Sequence, residues 1–142
     1  MSLVLDASAA LAWIFERTDP DEIALADQLL DEIATQPVRV PGLWHLEVAN
    51  ALLVAERRGV AKEAEVIDYR QRLARLPILT DDIEIAARQE MIMALGRQFQ
   101  LTAYDATYLE LALRTGSTLA TFDTRLAAAM KQAGGKICAS SE

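Results

Sequence analysis

Short apolar runs alternate along this chain with helix-length segments, and that alternation restricts the fold more than any other feature. The runs are Leu3–Leu5, Val38–Val40, Ile78–Leu79, Thr118–Phe122 and Lys136–Cys138. Helices are expected between them over Ala9–Phe15, Pro20–Ala34, Leu43–Arg58 and Lys62–Leu76. Three more are expected from Asp81 or Asp82 to about Arg97, over Thr102–Arg114, and over Thr124–Ala133. The punctuation agrees with these spans. Pro20 suits a first helical position with Asp19 as its cap. Gly59, Pro77, Gly116 and Gly134-Gly135 close the patterns before them. Brief apolar strands between helices of ten or more residues belong in a parallel sheet covered on both faces. The predicted fold is therefore a three-layer α/β/α sandwich with a short-stranded, mainly parallel central sheet, one domain over residues 1–142.

Several function classes are weakened by composition. Cys138 is the sole cysteine, so neither an intrachain disulfide nor a cysteine-based zinc site can form, and a reducing, cytoplasmic setting fits. The apolar stretch from Ala7 to Phe15 lacks a basic lead and is too short to span a bilayer. The net charge of −7, from 21 acidic against 14 basic residues, weighs against a nucleic-acid partner. The charges are unevenly spread, however: Asp19, Asp21, Glu22, Asp27, Asp31 and Glu32 crowd one segment, and Arg57, Arg58, Arg70, Arg72 and Arg75 another.

Within this pattern Asp6, Glu47, Asp105 and Asp123 fall where apolar residues are expected. Asp6 and Asp123 each follow a predicted strand, and ligands of open α/β sheets bind beyond the carboxyl ends of the strands. Both could simply cap the helices after them, and Thr102-Ala103-Tyr104-Asp105 fits a capping box. Glu47 resists a capping role, because it lies a full turn inside a helix that reads as apolar nearly all round. Asn50, three residues on, shares its face.

Four such carboxylates in one place would repel one another. Two unit charges about 4 Å apart oppose by about 1 kcal/mol in water and about 4 kcal/mol at an effective dielectric near 20. They must protonate in part or hold a cation, and an all-oxygen donor set favours Mg²⁺ or Mn²⁺ over zinc. Such an ion makes a water nucleophilic at neutral pH and stabilises charge on a phosphoryl oxygen. Other hydrolytic equipment is sparse. There is one histidine, His45, which reads as a helix-surface or packing residue, and no Gly-rich phosphate loop. Trp13 and Trp44 read as core or interface anchors, and Met91, Ile92 and Met93 as a helix face packed on its neighbours.

These motifs resemble those of the PIN-domain ribonucleases. Leu3-Val4-Leu5-Asp6-Ala7-Ser8-Ala9 is similar to the family's opening motif, and Leu46-Glu47-Val48-Ala49-Asn50-Ala51-Leu52 to its second. The run Leu101-Thr102-Ala103-Tyr104-Asp105-Ala106-Thr107-Tyr108-Leu109-Glu110-Leu111-Ala112 resembles the third, and Leu119-Ala120-Thr121-Phe122-Asp123-Thr124-Arg125-Leu126 the fourth. The order is right, and the length matches the VapC-type toxins of toxin–antitoxin modules. The resemblance implies an endoribonuclease that uses Mg²⁺ or Mn²⁺ and a metal-activated water. Asp6 and Asp105 would be the principal metal ligands, Glu47 and Asp123 would complete the acidic cluster, and Ser8, Asn50 and Thr121 would be supporting polar residues. It further implies an RNA substrate, a separate VapB-type antitoxin lying over the active-site groove, and a homodimer. The alternative is a non-catalytic PIN-like module that binds protein. A haloacid-dehalogenase-type phosphohydrolase would need a second aspartate where Ser8 stands.

Overall fold

The computed structural model describes residues 1–13 and 19–138. Five parallel strands, β1 (Leu3–Leu5), β2 (Val38–Val40), β3 (Ile78–Thr80), β4 (Thr118–Ala120) and β5 (Ile137–Cys138), form one sheet in the order β3-β2-β1-β4-β5. Among the described residues seven helices accompany them: α1 (Ala7–Leu11), α2 (Pro20–Ile33), α3 (Gly42–Arg57), α4 (Glu63–Ala74), α5 (Ile85–Phe99), α6 (Ala103–Thr115) and α7 (Thr124–Gln132). The fold is the predicted α/β architecture with a parallel sheet.

The central strand explains why. Leu3, Val4 and Leu5 are all fully buried, which an alternating half-buried strand could not achieve. Three successive apolar side chains can leave water together only when helices cover both faces of the sheet. Two helix groups do so: α1 and α4 pack against α3, whereas α5 and α7 pack against α6, which also touches β1 and β4. Leu3 is in register with Val38 on one side and Thr118 on the other, and Leu5 with Ala120. The edge strand β3 is more polar and exposed, with Leu79 half open to solvent.

The strand order reverses about β1. The chain goes from β1 to β2 and β3 on one side, then returns past β1 to β4 and β5. A crevice therefore opens at the carboxyl ends of β1 and β4, the place where such sheets bind ligands.

Several boundaries differ from the sequence reading for local reasons. The fifth helix starts at Ile85 rather than Asp81 or Asp82, because Asp81 continues from the edge strand, donating its amide to the Val40 carbonyl and binding Arg114 through its carboxylate. It runs on to Phe99 and ends at Gln100 in the left-handed region, φ 56°. The fourth strand stops at Ala120, since Thr121 turns its hydroxyl to Asp6. The first helix begins at Ala7, where Asp6 caps it, and ends at Leu11 rather than Phe15, a position outside the described residues.

Helix α3 is not apolar all round. It buries Trp44, Val48, Leu52 and Ala55 along one stripe and leaves Leu46 and Leu53 exposed, 71% and 49%. Likewise only Ile92 of the Met91–Met93 trio is buried. Trp44 is buried, as expected of a core anchor, and Trp13 packs half-buried on the core with its indole donating to the Ala26 carbonyl. No helix among the described residues is long and apolar enough to cross a membrane.

Candidate active site

Asp6 stands at the first residue past β1, and its side chain does two jobs. One oxygen, Oδ1, caps α1 by accepting from the Ala9 amide at 2.8 Å, and also accepts from Ser8 Oγ at 2.7 Å. The other, Oδ2, accepts from the Thr121 hydroxyl just past β4. The two hydroxyls are themselves fixed: Ser8 Oγ accepts from the Phe122 amide at 3.0 Å, and Thr121 Oγ1 from the Asp123 amide at 2.9 Å. The ends of β1 and β4 are thus laced together around one carboxylate. Asp123 caps α7, accepting from the amides of Arg125 and Leu126 at 2.9 and 3.2 Å. The capping that the sequence offered for Asp6 and Asp123 is present at both.

The other two acids arrive on helices. Asp105 lies in the first turn of α6, where Thr102 accepts its amide at 3.1 Å and caps the helix. Glu47 is half-buried on α3, and the hydroxyl of Tyr108 on α6 donates to its Oε1 at 2.5 Å. That bond joins the two helix layers. Asn50 is exposed, and with Leu43, Leu46, Glu47 and Tyr104 it lines a groove of about 400 Å³.

The four acids feel one another. Burial raises the Asp6 carboxyl from 3.8 to about 6 against the pull of its three hydrogen bonds, and the charge of Asp123 adds to the rise. Asp105 is raised by burial first, then by the charges of Asp123 and Glu47. Burial and the bond to Glu47 push the Tyr108 phenol far above its ordinary value, so it stays a donor. Among the described residues no lysine or arginine forms an ion pair with any of the four acids. No three Asp, Glu, His or Cys side chains among these residues converge into a ready-made cage for one ion. The donor chemistry would fit a hard divalent cation: the set is oxygen-only, Asp6 and Asp105 are raised by burial and by neighbouring acid charge, and no lysine or arginine among the described residues pairs with it.

A second acidic group meets the opposite fate. Glu110, 3% exposed on α6, accepts from Arg88 Nε at 2.6 Å and Arg114 Nε at 2.7 Å. Arg114 also reaches Asp81 at 2.6 Å. The hydrogen bonds it donates to Asp81 and Glu110 hold its guanidinium charged. Elsewhere Arg57, Arg58, Arg70, Arg72 and Arg75 are all exposed, and Arg72 pairs with Asp68. His45 is exposed on α3, bonds Thr80 Oγ1 at 2.7 Å and meets Trp44 edge-on, a surface packing role.

Sequence reasoning passed over Tyr108 and Glu110. Both lie in Ala106–Ala112, a stretch buried throughout, and a buried tyrosine hydroxyl needs a partner. Tyr108 is one turn after Asp105, so the partner had to lie near the acids. The reasoning that singled out Glu47 inside an apolar helix applies equally to Glu110.

A buried carboxylate at the switch point of a short parallel sheet, with three more acids acting on it or on its neighbours, defines a class, and comparison with known proteins agrees. The model of the PIN domain matches residues 3–131, and the chain belongs to that family. It is 32% identical over 129 residues to Ribonuclease VapC3 of Pyrobaculum aerophilum, spanning 89% of this chain and 93% of that protein. The crystal structure of PAE2754 from Pyrobaculum aerophilum superposes with a TM-score of 0.69 at 25% identity, covering 96% of this chain and 83% of the other. VapC20 of Mycobacterium tuberculosis, described as a sarcin-ricin loop cleaving toxin, has a TM-score of 0.59 at 18% identity over 89% and 94% of the two chains, and shares the fold.

Proposed function

We propose that this protein is an Mg²⁺- or Mn²⁺-dependent endoribonuclease acting as the toxin of a toxin–antitoxin pair. One observation carries the reading: at the switch point of a PIN-family sheet, burial first and neighbouring acid charges second raise the Asp6 and Asp105 carboxyls, and neither has an ion-paired lysine or arginine among the described residues. The kinship with a protein named a ribonuclease supports it. Asp6 and Asp105 would hold the cation, and Glu47 and Asp123 would complete the set through waters or a second ion. When bound, the cation offsets charge building on the phosphoryl oxygens and lowers the pKa of a water at neutral pH.

The chain's own residues supply orientation. Ser8 and Thr121 keep both oxygens of Asp6 in place, and the carboxylates of the cluster align the attacking water and accept its proton. Asn50 lies on the groove wall, one turn from Glu47, where it can contact the RNA backbone. Water attacks phosphorus in line and the bond to the ribose 3′ oxygen breaks, so the products carry 5′-phosphate and 3′-hydroxyl ends.

The partners we propose are an RNA substrate, a separate VapB-type antitoxin seated over the groove, and a second copy of the chain, all in the cytoplasm. Leu46 and Tyr104 expose apolar surface on the walls of the groove, of the kind that a protein partner covers.

Purified, antitoxin-free protein given structured and single-stranded RNAs tests the reading. The assay is run with Mg²⁺, with Mn²⁺ and with chelator, beside Asp6→Asn. Metal-dependent cuts ending in 5′-phosphates, absent in the variant, are expected. A folded protein that neither cuts nor binds either cation is instead a protein-binding module.

A further inference from the structure

Two tyrosines are buried in this fold, and they dispose of their hydroxyls differently. Tyr69 on α4 donates to the Ala10 backbone carbonyl, as core tyrosines commonly do. Tyr108 on α6, 2% exposed, donates instead to a carboxylate, Oε1 of Glu47, at 2.5 Å. The backbone amide of Ala7, the residue after Asp6, acts on the same phenolic oxygen. Through this hydroxyl, α6 one turn beyond Asp105 is tied to α3 at Glu47.

Glu47 needs such a support. It is half-buried, flanked by the exposed Leu46 and one turn from the exposed Asn50, and no other hydrogen bond among the described residues holds it. A glutamate so placed has three side-chain torsions to lose before it can serve a site. A charge-assisted bond to Oε1 fixes the carboxylate and leaves Oε2 for the groove. We propose that Tyr108 is a positioning residue of the site, holding Glu47 with Oε2 toward the cation and its waters. The proposal rests on the nuclease reading above.

The experiment compares wild type with Tyr108→Phe, Glu47→Gln, the double variant, and Tyr69→Phe. Mn²⁺ binding is read by calorimetry, kcat and KM on an RNA that wild type cuts, and stability by urea denaturation. Removing a group that orients a metal site costs roughly 10- to 100-fold in metal affinity or activity. Tyr108→Phe is therefore expected to lower kcat or Mn²⁺ affinity at least roughly tenfold with KM within about twofold. Added to Glu47→Gln it should cost less than about threefold, because the two act as one unit. Tyr69→Phe should lose comparable stability with kcat unchanged.

Wild-type kcat and Mn²⁺ affinity in Tyr108→Phe would overturn the proposal, as would an equal loss in both backgrounds. Should Tyr108→Phe not fold, the wild-type hydroxyl proton of Tyr108 is read by NMR. Slow exchange with cross-relaxation to the Glu47 side chain supports the proposal, and rapid exchange overturns it. A wild type that neither binds Mn²⁺ nor cuts RNA overturns the nuclease reading and this one together. A wild type that cuts, with Tyr108→Phe cutting equally well, overturns only the role of Tyr108.

Discussion

Replacing Asp6 by Asn in the metal-free protein separates the demands of folding from those of the site. Burial raises the Asp6 carboxyl from 3.8 to about 6, so the folded state binds its proton more tightly than the unfolded chain does. The stabilisation from that proton is complete below about pH 4 and is lost as pH rises through about 6, where the folded protein must ionise a buried acid. The full difference corresponds to about 3 kcal/mol. Asn carries no charge, so it escapes this loss. It retains an oxygen for the Ala9 amide and the Ser8 hydroxyl, but its amino group cannot accept from Thr121 as Oδ2 does. That exchange costs about 1 kcal/mol.

The net expectation is that the Asp6→Asn variant is less stable than wild type by about 1 kcal/mol at pH 4 and more stable by about 2 kcal/mol at pH 8. For a domain of this size that is a rise in melting temperature of roughly 4–8 °C at pH 8. Urea denaturation followed by circular dichroism, in chelator at fixed ionic strength, measures the difference between the two proteins as a function of pH, and other titrating groups largely cancel. A difference that stays constant from pH 4 to 8, or a variant less stable than wild type at pH 8, would refute the reasoning.

Three further outcomes follow from the same geometry. Adding Mn²⁺ at pH 7.5 to roughly 100 times its dissociation constant should stabilise wild type by about 2.7 kcal/mol, and Asp6→Asn by much less, as read by thermal melting with and without the ion. Glu110→Ala strands Arg88 and leaves Arg114 with Asp81 alone, so the urea midpoint should fall by the equivalent of about 3 kcal/mol, the lower end for a buried pair because both arginines keep some contact with water. Gly116 closes α6 at φ +63° with open space where a Cβ would go, so Gly116→Ala should lose about 1 kcal/mol to backbone strain alone, checked by the same denaturation.

What could be read in the residues was whatever chain-local physics controls. Leu3–Leu5 reads as a strand buried on both faces because three apolar residues in a row can hardly be anything else at that length, and Asp6 after it inherits a place at the sheet's carboxyl edge. Asp123 follows from the same logic, three residues past the end of β4 after the turn that Thr121 and Ser8 tie. The hidden part depends on distant pairing. Nothing local tells Tyr108 to choose Glu47, 61 residues away, over a backbone carbonyl, or Asp81 to leave the helix pattern for Arg114, 33 residues on. The apolar look of α3 misled for a related reason. Leu46 and Leu53 read as core on hydropathy, but the burial stripe of a helix passes through Trp44, Val48, Leu52 and Ala55 and leaves them outside.

Helix α6 carries the strongest physical contrast in the molecule. Within two turns it holds Glu110, buried and gripped by two arginines, and Asp105, raised by burial and by the charges of two other acids, with no cation on it among the described residues. The fold can neutralise a buried acid, since it does so for Glu110 on the same helix, and Arg114 of that helix also pairs with Asp81 after β3. Had stability been the sole demand, an amide or an apolar residue at Asp6 would have avoided a cost of about 3 kcal/mol at neutral pH, a sizeable share of a small domain's margin. Stability is commonly given up where a charge must stay available to something that is not part of the chain. The acids at the switch point are those whose repulsion a bound divalent cation would relieve, and the pairing of Glu110 and Asp81 shows that the missing ion pair among the described residues is a feature of that place rather than of the fold.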